Sequence, residues 1–163
     1  MKTLLILRHA KSSWKDDQVG DHDRPLNKRG KRDAPRMGAL VQQAQLQPEL
    51  IISSTAKRAR KTASRVAKQC GYQGIIELQG TLYLAPPGPY IEALRKVDEA
   101  VNRVMVVGHN PGLEQLLILL TGQHVLLPTA TLAHVELDLA QWRDMNSQTH
   151  GTLVDLWRPD SLE

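Results

Sequence analysis

Phenylalanine is absent from this chain of 163 residues, and tryptophan and tyrosine supply only three residues each. The core must therefore rest on Leu, Ile, Val and Ala, with Trp14, Trp142 and Trp157 expected as bulky anchors. Cysteine occurs once, as Cys70. An internal disulfide is thereby excluded, a reducing, cytoplasmic compartment is the expectation, and a structural zinc site is disfavoured. Long apolar runs are missing too. The longest, at residues 116–120, falls far short of the roughly 20 residues of a membrane helix, so no membrane partner is expected. The opening Met1-Lys2-Thr3-Leu4-Leu5-Ile6-Leu7-Arg8-His9 is too short for a signal core and lacks a small-residue cleavage site, so it reads as a buried strand. No internal repeat, low-complexity tract or linker interrupts the chain, and one domain over 1–163 with a substantial core is expected.

What is present in excess is positive charge, a formal +4. It concentrates at Lys28, Arg29, Lys31, Arg32 and Arg36, and again at Lys57, Arg58, Arg60, Lys61, Arg65 and Lys68. A basic field of this kind attracts anions, although solvated helix faces account for most such charges. No aromatic residues interleave with the basic ones, as a single-strand nucleic-acid platform would require, so nucleic acid is not an expected partner.

The hydrophobic pattern alternates between strand and helix. Near-continuous apolar runs at 2–7, 50–53 and 103–108 read as strands buried on both faces, with a shorter strand at 75–77. Helices are expected over 28–46 behind an Asn27 cap, over 56–70 ending at Gly71, over 89–99, and from Pro111 to about 120 behind an Asn110 cap. Residues 10–27 read as a long functional loop, and 83–89 as a loop with three prolines. Segments 131–139 and 152–157 read as strands, with Gly151 at a turn between them. The fold class that follows is α/β: a three-layer α/β/α sandwich, mainly parallel, with helices on both faces and an antiparallel edge.

Three of the buried strands run straight into polar residues. The first ends in Arg8-His9. The second ends in Ser53-Ser54, with Arg58 four residues beyond Ser54. The third of the long apolar runs ends in Gly108-His109-Asn110. Ligands of open α/β sheets sit beyond the carboxyl ends of the strands, so parallel neighbours would bring Arg8, His9, Arg58 and His109 together. These residue types suit phosphoryl transfer. A neutral imidazole is a nucleophile near pH 7, arginine binds phosphate through a planar fork, and a second histidine donates a hydrogen bond to the transferring group. Helix N-termini after His9 or His109 would add backbone donors. No Asp/Glu/His cluster has metal-ligand spacing, and neither a metal nor a cofactor is expected.

The segment Leu7-Arg8-His9-Ala10-Lys11-Ser12 resembles the Arg-His-Gly signature of the histidine phosphatase superfamily, with Ala10 in place of Gly. Ser53-Ser54-Thr55-Ala56-Lys57-Arg58-Ala59-Arg60-Lys61-Thr62-Ala63 is similar to that family's Ser-Pro-x-x-Arg-Ala-x-Gln-Thr run, with Thr55 and Lys61 as departures. Val107-Gly108-His109-Asn110-Pro111 matches the segment around the second family histidine, and Asp23-Arg24-Pro25-Leu26-Asn27-Lys28-Arg29-Gly30 the R-P-L-T/N-x-x-G element. The resemblance spans nearly the whole chain, and the small size points to the SixA-type phosphohistidine phosphatases. It implies His9 as the transiently phosphorylated nucleophile, with Arg8, Arg58 and His109 completing the phosphate pocket and Arg24 approaching it.

Larger members of that superfamily carry an acidic proton donor on an inserted segment. The corresponding stretch here, Leu82-Tyr83-Leu84-Ala85-Pro86-Pro87-Gly88, has no acid. Asp21 is the candidate, with Asp23 and Glu77 behind it. A poor acid suits phosphohistidine, whose imidazole leaves phosphorus more readily than an alkoxide does. The expected function is thus a metal-independent phosphatase acting on a phosphohistidine-bearing protein, as a monomer. A small-molecule phosphomonoesterase of the same mechanism and a non-catalytic basic phosphoprotein-binding module are the alternatives. A phosphoglycerate mutase fits less well, given the short chain and the missing acid.

Overall fold

The computed structural model describes residues 1–162. Six strands form one sheet in the order β3-β2-β4-β1-β5-β6: β1 (Lys2–Arg8), β2 (Leu50–Ser54), β3 (Ile76–Gln79), β4 (Arg103–Gly108), β5 (Leu132–Leu137) and β6 (Gly151–Trp157). The first four run parallel, while β5 is antiparallel to β1 and β6 to β5. The α/β architecture expected from the pattern is therefore present, and its antiparallel part comprises two strands.

Side chains alternate across this sheet and fill two cores. Leu4, Ile6, Ile52, Val104 and Val106 face one layer, with α3 (Pro87–Arg95) and α4 (Gly112–Thr121). Leu5, Leu7, Ile51, Met105 and Val107 face the other, with α1 (Lys28–Gln43) and α2 (Lys57–Cys70). Burial on both faces explains why these strands read as unbroken apolar runs rather than alternating ones. In-register pairing sets Leu5 level with Met105 and Arg8 level with Gly108, and β2 lies on the far side of β4. Three parallel strands thus end at one edge.

Local signals account for most helix ends. Asn27 Oδ1 accepts from the Gly30 N–H at 2.9 Å, the expected cap of α1. Gly71 closes α2 in the left-handed conformation. Helix α1 stops at Gln43, short of the expected 46, because Gln45 turns to a left-handed φ of 58°. The third helix starts and ends earlier than 89–99. Pro87 and Pro89 both fit its first turn, where no N–H is needed, and beyond Lys96 the Asp98 side chain accepts from Ala100 N–H in a turn.

Four expectations are corrected. Asn110 caps no helix: α4 begins at Gly112, and the Asn110 amide instead donates to Glu114 and to the Leu127 carbonyl. No helix follows His9, where residues 9–20 form an irregular loop. Gly151 is the first residue of β6, opposite Leu137, where a Cβ would press on Val135 at 2.8 Å. Among the tryptophans, Trp142 is fully buried, its indole donating to the Val101 carbonyl at 2.7 Å, but Trp14 is 72% exposed. Among the described residues no helix is long and apolar enough to cross a membrane.

Gly30 holds α1 against the loop after β1. A Cβ there would lie 2.1 Å from the Lys11 carbonyl oxygen, an acceptor already fixed by the Asn27 N–H. Helix propensity alone would favour alanine by about 0.5–1 kcal/mol. The clash reverses that sign, and Gly30→Ala is expected to destabilise by about 1–3 kcal/mol in urea unfolding. Gly20→Ala, with nothing within 4 Å, is expected to stay within about 0.5 kcal/mol. Equal midpoints for the two variants would refute this packing.

Candidate active site

The parallel register delivers two histidines side by side. His9 follows β1 and its N–H continues the ladder to the Gly108 carbonyl at 3.1 Å. His109 follows β4, and the ring centroids lie 5.2 Å apart. Both side chains are buried. His9 Nδ1 lies 2.8 Å from the Ala10 carbonyl oxygen. A carbonyl only accepts, so Nδ1 carries the proton and Nε2 is the unprotonated nitrogen. Ala10 itself is fully buried, its N–H donating to Thr62 Oγ1 on α2 at 2.9 Å. The methyl that replaces glycine is thus accommodated in the packing.

His109 is oriented differently. Its N–H donates to the Tyr90 hydroxyl at 3.2 Å, and its Nε2 lies 2.8 Å from Ser54 Oγ. Ser54 Oγ also accepts from the Ala56 N–H. If the Ser54 hydroxyl donates to Nε2, the proton of neutral His109 is on Nδ1, an atom with no protein partner.

Three arginines surround the pair. Arg8 ends β1 and donates to the Leu127 carbonyl at 3.1 Å. That carbonyl also receives Asn110, and the Leu127 N–H reaches Glu114 at 2.7 Å, so the 127 loop is fastened to α4. Arg58, on the first turn of α2, is buried and grips Asp21 twice: Nη1 to the carbonyl at 2.7 Å and Nη2 to Oδ2 at 3.0 Å. Arg24 donates to Asp21 Oδ1 at 3.1 Å and to Ser12 Oγ at 2.7 Å, and its guanidinium lies 3.5 Å from the Trp14 ring centroid. Arg8, His9, Arg24, Arg58 and His109 together line a pocket of about 200 Å³ rimmed by Trp14 and Leu84. A larger hollow of about 610 Å³ lies beside α3, and none of these five residues lines it.

Asp21 comes to this cluster, but its surroundings speak against the expected role of proton donor. Burial pushes its pKa up. Hydrogen bonds from Tyr83, Arg58 and Arg24 outweigh that and hold it down at about 2. A carboxylate already accepting from two arginines and a phenol has no proton to give at neutral pH. Its position instead fixes Arg58 and Arg24. Of the reserve candidates, Asp23 is exposed beside His22, and Glu77 is exposed on β3, bonded by Gln79. Neither lines the pocket. Among the described residues no group of three or more His, Cys, Asp or Glu side chains could hold a metal ion.

Sequence reasoning did not find Tyr83, Ser54, Trp14 or the Asn110–Glu114 pair as parts of this site. Tyr83 reaches Asp21 across 62 positions of chain, a contact without local signature. Trp14 could have been suspected, since it stands in a polar loop with no hydrophobic periodicity around it.

Burial dominates the titration of both imidazoles and lowers their pKa. That of His9 falls to about 3, with His109, Arg58 and Arg8 adding repulsion while the Ala10 carbonyl opposes. That of His109 falls to about 4, with Arg58 adding to the burial effect and Asp21 opposing. Both folded values lie below the unfolded value near 6.5. Below pH 6.5 the unfolded chain therefore takes up protons that the folded one refuses, and stability drops as pH falls toward 4. Both rings are expected to be neutral at pH 6 by nitrogen-edited NMR, and a His9→Gln/His109→Gln double variant should lose less stability between pH 6.5 and 4 than the parent. A ring half-protonated near pH 6.5 would contradict this.

Comparison with known proteins bears on the family and the fold. The family model of the histidine phosphatase superfamily (branch 1) matches residues 4–80. An uncharacterized chloroplastic protein of Arabidopsis thaliana is 31% identical over 152 residues, which span 88% of this chain and 70% of the relative. Among solved structures, a protein of Agrobacterium tumefaciens provisionally assigned as phosphohistidine phosphatase SixA superposes with a TM-score of 0.83. It is 28% identical, with 97% of this chain and 98% of that one covered. The protein histidine phosphatase SixA complexed with tungstate shares the fold at a TM-score of 0.85 and 22% identity, with 99% of each chain covered. The paired histidines at the ends of β1 and β4 thus stand on a fold shared with SixA proteins, and the chain belongs to the histidine phosphatase superfamily.

Proposed function

We propose that the protein is a phosphatase that works through a covalent phosphohistidine on His9, needs no metal, and takes phosphohistidine in a protein as substrate. One observation carries the reading. In the pocket that His9 lines, three buried side-chain nitrogens have no protein partner: Arg8 Nε, Arg58 Nε and, a donor when Nε2 accepts from Ser54, His109 Nδ1. Buried donors left unpaired cost about 1–3 kcal/mol each, and a tetrahedral oxyanion with several acceptor oxygens matches that unused capacity.

The steps follow from the residues. Neutral His9 attacks phosphorus through Nε2 while the bond from phosphorus to the leaving group breaks, and the departing imidazole takes a proton from solvent. The Ala10 carbonyl holds the proton on Nδ1 and steadies the imidazolium-like adduct. Arg8, Arg58 and His109 neutralise charge on the equatorial oxygens. Water then attacks phosphorus, the Nε2–P bond breaks, and phosphate leaves with His9 neutral again. Asp21 keeps Arg58 and Arg24 in place and exchanges no proton.

The substrate class is supported by what lines the pocket. It holds no carboxyl able to protonate an alkoxide, so leaving groups that need little acid help are favoured. At about 200 Å³ it has room for a phosphoryl group and little more, and it opens between Trp14 and Leu84, which are 72% and 54% exposed. That rim suits a group presented on a protein surface. A small aryl phosphate fits the same acid argument and is the second reading.

Two comparisons, run with chelator present, test this. His9→Ala is expected to abolish turnover of a phosphohistidine peptide and of p-nitrophenyl phosphate, and Arg58→Ala to lower it about 10²–10³-fold. Full activity in His9→Ala, or loss of wild-type activity with chelator, would overturn the mechanism. Asp21→Asn is expected to lower kcat/KM by the same factor for the peptide and for an alkyl phosphate, because it disturbs Arg58 in both reactions. A loss confined to the alkyl ester would restore Asp21 as the acid.

A further inference from the structure

Charge in this molecule is segregated. Helices α1 and α2 carry eleven of its 21 Lys and Arg residues and one of its 17 Asp and Glu residues. The rest of the chain is therefore net acidic although the whole is net basic. The two helices use their charges differently. On α1, Arg29, Arg32 and Arg36 surround the buried Asp33 carboxylate, and Arg29 also meets Asp160. Helix α2 contains no acid, and among the described residues none of Lys57, Arg60, Lys61, Arg65 and Lys68 has a salt-bridge partner. Lys61, Arg65 and Lys68 are exposed and recur at helical spacing, forming a stripe along the outer face.

That stripe borders an apolar strip. Strand β3 is the edge of the sheet, and its flank leaves Ile75 88% and Leu78 49% exposed. Arg60, Lys61, Ile76 and Leu78 line one groove of about 210 Å³ between α2 and β3. Its floor is aliphatic and its wall cationic. Helix α2 carries residues of both the groove and the phosphate pocket. Arg58, in the phosphate pocket, is one turn before Lys61, and Lys68 is about 15 Å along the axis by helical rise. At the carboxyl edge of the sheet, β3 ends in Gln79, paired with Ser54, the residue that contacts His109.

We propose that the α2–β3 groove is the docking surface for an acidic, partly apolar segment of the protein substrate, whose phosphoryl group then enters the His9 pocket. This rests on the phosphatase reading above. Carboxylates of the segment meet Lys61, Arg65 and Lys68, and aliphatic side chains cover Ile76 and Leu78. Attraction between exposed charges falls off within about 10 Å at 0.1 M salt, so the preference is salt-sensitive. Aliphatic rather than aromatic residues beside the cations favour a protein segment over single-stranded nucleic acid, which stacks on aromatic rings.

The test uses two synthetic phosphohistidine peptides, one flanked by Glu, Asp and Leu and one with Ser at the acidic positions, with phosphoramidate as a substrate lacking any flank. Wild type is expected to favour the acidic peptide about tenfold in kcat/KM at 20 mM salt and to lose most of that preference at 300 mM. The Lys61→Glu/Arg65→Glu/Lys68→Glu variant should abolish the preference while leaving phosphoramidate turnover unchanged. Leu78→Ser should weaken the acidic peptide without restoring the serine one. Binding of the unphosphorylated acidic peptide, read by fluorescence anisotropy, should likewise be lost in the triple variant. This last measurement needs no turnover, so a failed phosphatase reading and a failed docking surface give different results. A preference that survives charge reversal, or a fall in phosphoramidate turnover as large as that for the peptide, would overturn the proposal. Tighter binding of a single-stranded RNA than of the acidic peptide, lost in the same variant, would reassign the face to nucleic acid.

Discussion

The parallel pairing of β1 with β4, with Arg8 level with Gly108, is the constraint from which the rest of the site follows. Because both strands are buried on both faces, a slip of register would expose or strain an entire row of Leu, Ile and Val side chains. The strands therefore end together, and the next residue of each is a histidine. Ring centroids 5.2 Å apart are a consequence of that register. Strand β2, parallel on the far side of β4, adds Ser54 behind His109 and starts the helix that carries Arg58.

Electrostatics then decide what these side chains can do. Two imidazoles lie beside Arg8 and Arg58, where burial and repulsion both favour the neutral form. A neutral His9 with its proton on Nδ1 is a nucleophile without further activation. The arginines would repel one another without a shared anion, and Asp21 supplies one for Arg58 and Arg24. The same three hydrogen bonds that make Asp21 a good clamp make it a poor acid. The pocket thus gathers positive charge, and no carboxyl group lines it, the combination on which the proposed preference for leaving groups that depart readily rests.

Much of this was legible in the sequence because it depends on local pattern. Unbroken apolar runs located the buried strands, and polar residues at their ends located Arg8, His9, Arg58 and His109. Asn27 and Gly71 marked helix ends by their own side-chain and backbone chemistry. What was not legible depends on contacts between distant segments. Asp21 as a clamp requires Tyr83, Arg58 and Arg24 to arrive together. Asn110 looked like a helix cap because Asn-Pro usually opens one, yet its amide is held by Glu114 and the Leu127 carbonyl, and its Oδ1 accepts from no backbone N–H. Trp14 was assigned to the core by hydrophobicity, whereas a cation beneath its ring holds it at the surface.

The central claim is that a neutral His9 attacks through Nε2 because the Ala10 carbonyl occupies Nδ1. Rapid quenching during turnover of a phosphohistidine peptide, followed by digestion and mass spectrometry with separation of the two phosphohistidine isomers, addresses it most directly. The expected result is a transient adduct on His9 phosphorylated at Nε2. Phosphate attached at Nδ1, or turnover with no adduct on His9, would contradict the account.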